Sequence, residues 1–177
     1  MSVSEGATES SSGAKPAEGM KEITIYTDGG AQGNPGPGGY GVVLLYGGKR
    51  RELSGGFRRT TNNRMEITAA ITGLKALKFP CIVTLYSDSQ YLCNGITKGW
   101  ARKWRANGWM RNKMEPALNP DLWSELLDLC DRHEVTFQWI RGHVGNAENE
   151  RCDRLSVAAA KAKDLPPDAP YEGGASK

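Results

Sequence analysis

Two short runs of strand-forming residues, Glu22–Thr27 (EITIYT) and Cys81–Tyr86 (CIVTLY), constrain this chain more than any other feature. The first is β-branched and aromatic, which suits a central strand. The second is almost continuously apolar, as strands buried on both faces are. Between them, Met65–Lys78 sets Ile67, Ile71, Leu74 and Leu77 on one helical stripe that Pro80 ends. A helical crossover makes the two strands parallel. Tyr40–Tyr46 and Lys49–Ser54 flank Gly47-Gly48, the signature of a tight hairpin turn, and extend the sheet on the other side of the first strand. Asp28 to Gly39 reads as a loop rich in Gly and Pro. A helix starts over Ser89–Ile96, and another at Asn119-Pro120-Asp121, with Asn119 as cap and Leu122, Leu126 and Leu129 as its stripe. Val135, Phe137 and Trp139 alternate in a last strand, and a last helix runs through Glu148–Ala162. The order β-β-β-α-β-α-α-α-β-α implies an α/β fold, one mixed sheet with helices packed on it.

Composition narrows the function classes. No apolar run approaches the ~20 residues of a membrane span. Cys81, Cys93, Cys130 and Cys152 are scattered, without a CxxC pair and with only His133 and His143 to join them. That pattern gives little support to zinc and suits reduced thiols in a cytoplasmic protein. Residues 1–20 are Ser/Gly/Ala/Glu-rich and lack aromatic side chains, so they are expected to stay disordered. Residues 21–165 form the expected domain, and 166–177 a flexible tail. Charge is unevenly spread. The chain totals +3, yet residues 98–114 hold six bases, no acids and three of the five Trp, which leaves −3 elsewhere.

Four acidic residues stand at places where the chemistry of a site is concentrated. Asp28 and Asp88 follow the two parallel strands directly, Glu66 lies early in the crossover helix, and Asp153 early in the last helix. Taken singly, each has a plain reading: a turn aspartate, a helix cap, a capping-box glutamate, an acid at a helix N-terminus. Taken together, Asp28 and Asp88 emerge from neighbouring strands ~4.8 Å apart at one sheet end, where the polarity of the sheet changes. Carboxylates that close repel one another, and divalent cations with hard oxygen preferences relieve the repulsion. Two such ions ~4 Å apart activate water and stabilise the leaving oxygen of a phosphodiester.

The segments YTDGGAQGNPGPGGYG (26–41), RTTNNRMEITAA (59–70), YSDSQY (86–91) and GHVGNAENERCD (142–153), with the Trp-rich basic segment between, strongly resemble the bacterial-type ribonuclease H family over about residues 21–165. The resemblance implies a mixed five-stranded sheet flanked by helices on both faces. It also implies a metal-dependent endonuclease that hydrolyses the RNA strand of RNA–DNA hybrids to 5′-phosphate and 3′-hydroxyl ends by a two-metal-ion mechanism. It makes Asp28, Glu66, Asp88 and Asp153 the metal ligands, for one or two Mg²⁺ that Mn²⁺ can replace. It gives His143 a part in proton transfer or product release, and Glu148 and Glu150 a supporting one. It places Ala31, Gly33, Asn34, Asn62, Asn63 and Gln90 along the minor groove of the hybrid, where 2′-hydroxyls distinguish RNA from DNA. Arg59, Thr61 and Lys103 match a pocket for a DNA-strand phosphate. Two departures stand out: Gly30 replaces a common Ser, and Lys103 a common amide.

The basic segment has its own reading. Trp100 and Trp104, four apart, anchor a protrusion to the core if the segment is helical. Arg102, Lys103 and Arg105, with Lys98, Arg111 and Lys113, form a phosphate-binding patch on an otherwise acidic chain. No membrane partner is expected, and a monomer is the default. Two other readings are a non-catalytic hybrid-binding module and an integrase- or resolvase-like nuclease.

Overall fold

The computed structural model describes residues 19–142 and 145–174. Among them run five strands, β1 (Lys21–Ala31), β2 (Gly36–Tyr46), β3 (Lys49–Thr60), β4 (Cys81–Ser87) and β5 (Glu134–Trp139). The helices are α1 (Asn62–Lys75), α2 (Gln90–Thr97), α3 (Trp100–Ala106), α4 (Pro120–Arg132), α5 (Ala147–Ala160) and α6 (Ala169–Gly174). One mixed sheet holds all five strands in the order β3-β2-β1-β4-β5.

β1 is the pivot of the sheet. It pairs antiparallel with β2 and parallel with β4, in a register that sets Tyr26 opposite Tyr86. The two tyrosine rings stack at 4.8 Å. Asp28 and Asp88 therefore both lie two residues beyond the last matched pair, Asp28 still within β1 and Asp88 just past β4, where the parallel pairing ends. The hairpin turn at Gly47 and Gly48 has φ of +51° and +84°, as a primed turn requires.

The glycine-rich stretch from Asp28 departs from the expected loop. It is strand on both sides of a short turn at 32–35. Its glycines serve close packing: a Cβ on Gly39 would sit 2.2 Å from the Ser156 carbonyl oxygen, and one on Gly41 2.5 Å from that of Cys152. α5 thus lies directly on the β2 backbone. α1 covers the opposite face, where Gly73 lies against Ile25 and Val42; Gly41 and Val42 are successive residues and point to opposite faces.

The core between sheet and helices includes Ile25, Ile67, Leu74, Leu85, Leu92 and the fully buried Trp123. Each such side chain contributes about 1.5–3 kcal/mol over exposure. Trp104 packs edge-on against Trp123 at 6.1 Å, with Trp100 outside it at 6.4 Å, so α3 is fastened to the core by its tryptophans.

Two ends also differ from expectation. α1 begins at Asn62, because the Thr61 side chain accepts from the Arg64 N–H and caps the helix. The segment from 166, read as a flexible tail, packs back on the domain over its described part: Asp168 is buried and bonds Thr60 and Arg64. Its Pro and Gly content suggests a tail; a buried ion pair overrides it.

Candidate active site

Three elements bring the carboxylates together. β1 carries Asp28, the β4–α2 turn carries Asp88, and α1 carries Glu66; one oxygen from each lies within 4.8 Å of the others. Asp153, from α5, lines the same cleft of about 260 Å³, and its charge adds to that around Asp28. Local structure removes two of the plain readings. Ser89, not Asp88, caps α2, with its hydroxyl accepting from Leu92 N–H. Glu66 is no capping-box residue either, since Thr61 is the cap. A Cβ on Gly29 would lie 2.5 Å from the Met65 carbonyl group, so α1 meets β1 backbone to backbone and Glu66 is delivered over the sheet end.

The electrostatics are those of uncompensated acids. Asp28 is pushed up to about 8, chiefly by burial, then by the charges of Asp88 and Asp153; the Gly29 N–H, 2.9 Å from its Oδ1, opposes the rise. Burial, then Asp28 and Asp88, drive Glu66 well above the usual range, and its buried Oε1 has no hydrogen-bond partner. Among the described residues no basic side chain lines the cleft. An orphaned oxygen, mutual repulsion and an all-oxygen donor set fit a hard divalent cation. The four cysteines are free thiols, and the metal-ligand cluster found among the described residues contains none of them.

Two residues not singled out from the sequence lie against Asp88. Trp139 Nε1 donates to the Asp88 carbonyl oxygen at 3.1 Å. Gly142 lies so close that its Cβ would be 2.6 Å from Asp88 Oδ2. Gly142 stands in the GHVG motif, but nothing in the sequence shows what it approaches. His143 lies outside the described residues. Glu148 pairs with Arg50 at 2.8 Å.

Around the cleft, Asn34 Oδ1 accepts from Asn62 N–H (2.9 Å), and Asn62 Oδ1 from Ala31 N–H (2.7 Å). The β1–β2 turn with Gly33 is thereby tied to the start of α1. Asn62, Asn63, Arg59 and Gln90 are exposed. Gly30 has room for a side chain, with Asn62 Oδ1 3.5 Å from its would-be Cβ. The basic patch is divided. Lys103 lines a hollow with Trp100, Trp104 and Arg111, whereas Arg102 and Arg105 turn to α4 and pair with Asp131 (2.6 Å) and Asp128 (2.9 Å). Asn119 occupies the cap position of α4 without a capping bond; its side chain reaches Arg64 and Tyr91 instead.

The chain is similar to known proteins. The RNase H family model matches residues 20–161. Ribonuclease H of Desulforamulus reducens is 68% identical over 149 residues, 84% of this chain and 94% of that protein. Ribonuclease H of Syntrophus aciditrophicus is 68% identical over 152 residues, 86% of this chain and 88% of that protein. Among solved structures, LC9-RNase H1, described as a type 1 RNase H with the type 2 active-site motif, superposes with a TM-score of 0.73 at 31% identity, covering 89% of this chain and 82% of its own. LC11-RNase H1, solved in complex with an RNA/DNA hybrid, gives 0.59 at 28% identity, covering 78% and 96%. With its fold, its acidic cleft and these relatives, the chain belongs to the RNase H family.

Proposed function

We propose that this enzyme hydrolyses the RNA strand of RNA–DNA hybrids endonucleolytically, to 5′-phosphate and 3′-hydroxyl ends, with Asp28, Glu66, Asp88 and Asp153 as the ligands of one or two Mg²⁺, which Mn²⁺ can replace. One observation carries the reading: acidic oxygens from three separate elements, buried or half-buried, converge within 4.8 Å and no basic side chain among the described residues lines their cleft. Bound divalent cations supply Lewis-acid stabilisation of the phosphodiester and lower the pKa of the attacking water. The chain's own residues do the rest. Asp28 and Asp88, fixed at strand ends, set the reaction centre, and Glu66 and Asp153 close it from opposite helices. His143, next to Gly142, receives the role of moving a proton or releasing product.

Substrate is held beside the cleft. Gly33, Asn34, Asn62, Asn63 and Gln90 face the minor groove, where amides both donate to and accept from a 2′-hydroxyl. Arg59, Thr61 and Lys103 take a DNA-strand phosphate. Arg102 and Arg105 join them at the rim by exchanging exposed carboxylate partners, a cheap step since such pairs are worth about 0–1 kcal/mol. The protein acts as a monomer in the cytoplasm, a placement supported by its free thiols.

The test is incubation of a labelled RNA–DNA hybrid with Mg²⁺ or Mn²⁺, with EDTA and duplex-DNA controls. RNA fragments with 5′-phosphates are expected from the hybrid alone, and sedimentation should report one chain. An intact hybrid after incubation with folded protein and either ion overturns the reading.

A further inference from the structure

We propose that the C-terminal segment Pro166–Glu172 is a positioning strap for the hybrid-binding face, acting through Arg64. The inference rests on the assignment of Asn62, Asn63 and Gln90 to the hybrid groove. It concerns residues that lie outside the acidic cleft.

Arg64 is 3% exposed and Asp168 4%. Arg64 Nε and Nη2 donate to the two Asp168 oxygens at 2.7 and 3.0 Å, and Thr60 Oγ1 to Asp168 Oδ2 at 2.7 Å. The other edge of the guanidinium reaches α4: Asp121 at 3.0 and 2.7 Å, and Asn119 Oδ1 at 3.2 Å. Asn119 Nδ2 donates in turn to the Tyr91 hydroxyl at 3.1 Å, one residue after Gln90 at the start of α2. Tyr171 lies against the guanidinium at 5.7 Å. Outside, the strap is fastened by Arg58, whose N–H donates to the Pro166 carbonyl (2.9 Å) and whose side chain pairs with Glu172 (2.9 Å).

One planar cation therefore joins the first turn of α1, the start of α4, the start of α2 and the C-terminal strap. Its donors form a rigid fork, so carboxylates on both edges permit a single orientation. Arg64 directly follows Asn62 and Asn63; Asn62 also has its own bonds to Ala31 and Asn34, so the setting of Arg64 bears chiefly on Asn63 and, through Asn119 and Tyr91, on Gln90. Without Asp168, Asp121 still neutralises Arg64, but the fork pivots on one carboxylate. The amides of the groove then lose their common reference. Glu66 keeps its place, because the backbone contact of Met65 with Gly29 holds it independently. Hybrid binding should suffer and chemistry should not.

Asp168→Asn tests this. Steady-state cleavage at saturating Mg²⁺ gives KM and kcat, and fluorescence anisotropy in EDTA gives hybrid affinity without turnover. We expect KM and the metal-free Kd to rise about three- to tenfold at unchanged kcat. A variant that melts earlier but shows wild-type KM and Kd well below its Tm makes the strap merely structural and overturns the proposal. So does a fall in kcat alone. If Asp168→Asn does not fold, Arg58→Gln loosens the strap at its exposed end, and a rise in KM of about twofold is expected; unchanged KM and Kd there overturn it. A wild-type protein that binds the hybrid but never cleaves it refutes the nuclease reading and leaves the anisotropy comparison to decide the strap.

Discussion

Arg64 and Glu66 are two residues apart on α1, yet their surroundings settle charge in opposite ways. Around Arg64, Asp121 and Asp168 bring opposite charge, and the guanidinium nitrogens donate to them and to Asn119. Around Glu66 the neighbours are Asp28 and Asp88, all acids, and Oε1 is left unpartnered. One cluster is complete with protein alone. The other leaves like charges uncompensated, as the proposed cation site requires. Buried like charge without compensation is what folding alone avoids, so it marks the place where function set the residues.

The contrast predicts opposite responses to losing a charge. The largest effect belongs to Asp28→Asn. Hydrolysis should fall by at least about 10³-fold, while the metal-free protein keeps or gains stability, because repulsion falls and the amide oxygen still accepts from Gly29 N–H. Hybrid-cleavage rates and urea melts in EDTA check both halves; a destabilised variant breaks the comparison. At the paired cluster, Arg64→Ala should destabilise by about 3–5 kcal/mol, since it strands Asp168 as a buried unpaired charge. Denaturant titration measures it, and a loss under about 1 kcal/mol would show that the network is slack.

The acidic cleft should also imprint its pH dependence on the metal-free protein. Folded Asp28 holds its proton to about 8, whereas an unfolded aspartate releases it near 3.8. The folded state thus binds more protons between those values, so this contribution is full below about pH 4 and is lost as pH rises through about 8. Urea melts in EDTA should show that decline, and saturating Mg²⁺ should remove it by favouring the carboxylates. A flat metal-free profile would mean that neither burial nor the neighbouring acids hold the Asp28 proton.

The smallest effect separates the halves of the basic patch. Lys103→Ala should flatten the salt dependence of hybrid binding by roughly one counterion, a slope change of about 0.7–0.9. Arg102→Ala and Arg105→Ala should each change it less, because Asp131 and Asp128 already hold those side chains. Anisotropy titrations across a salt series distinguish them; equal slopes for all three variants would erase the division.

Much of the fold was legible. The β2–β3 hairpin, the parallel pair and the crossover helix follow from local period, turn chemistry and the reach of a connection. The stretch from Asp28 to Gly39 reads as a loop, because what Gly39 accommodates is α5, more than a hundred residues away in the chain. Asn119 looked like a cap, but a buried arginine competes for its oxygen. The C-terminal strap was invisible because Asp168 finds its partners only across the fold.

By itself the sequence determined that two neighbouring parallel strands each lead into an aspartate at the same sheet end, since strand pairing and crossover geometry are near-local rules. It also showed, through its ordered motifs, which family that arrangement resembles. Only the tertiary structure decided that Glu66 and Asp153 join those aspartates, that Gly142 and Trp139 lie against Asp88, and that Arg64 is tied to the chain end. These are distances between elements remote in sequence, set by how closely backbones pack, and no local pattern encodes them.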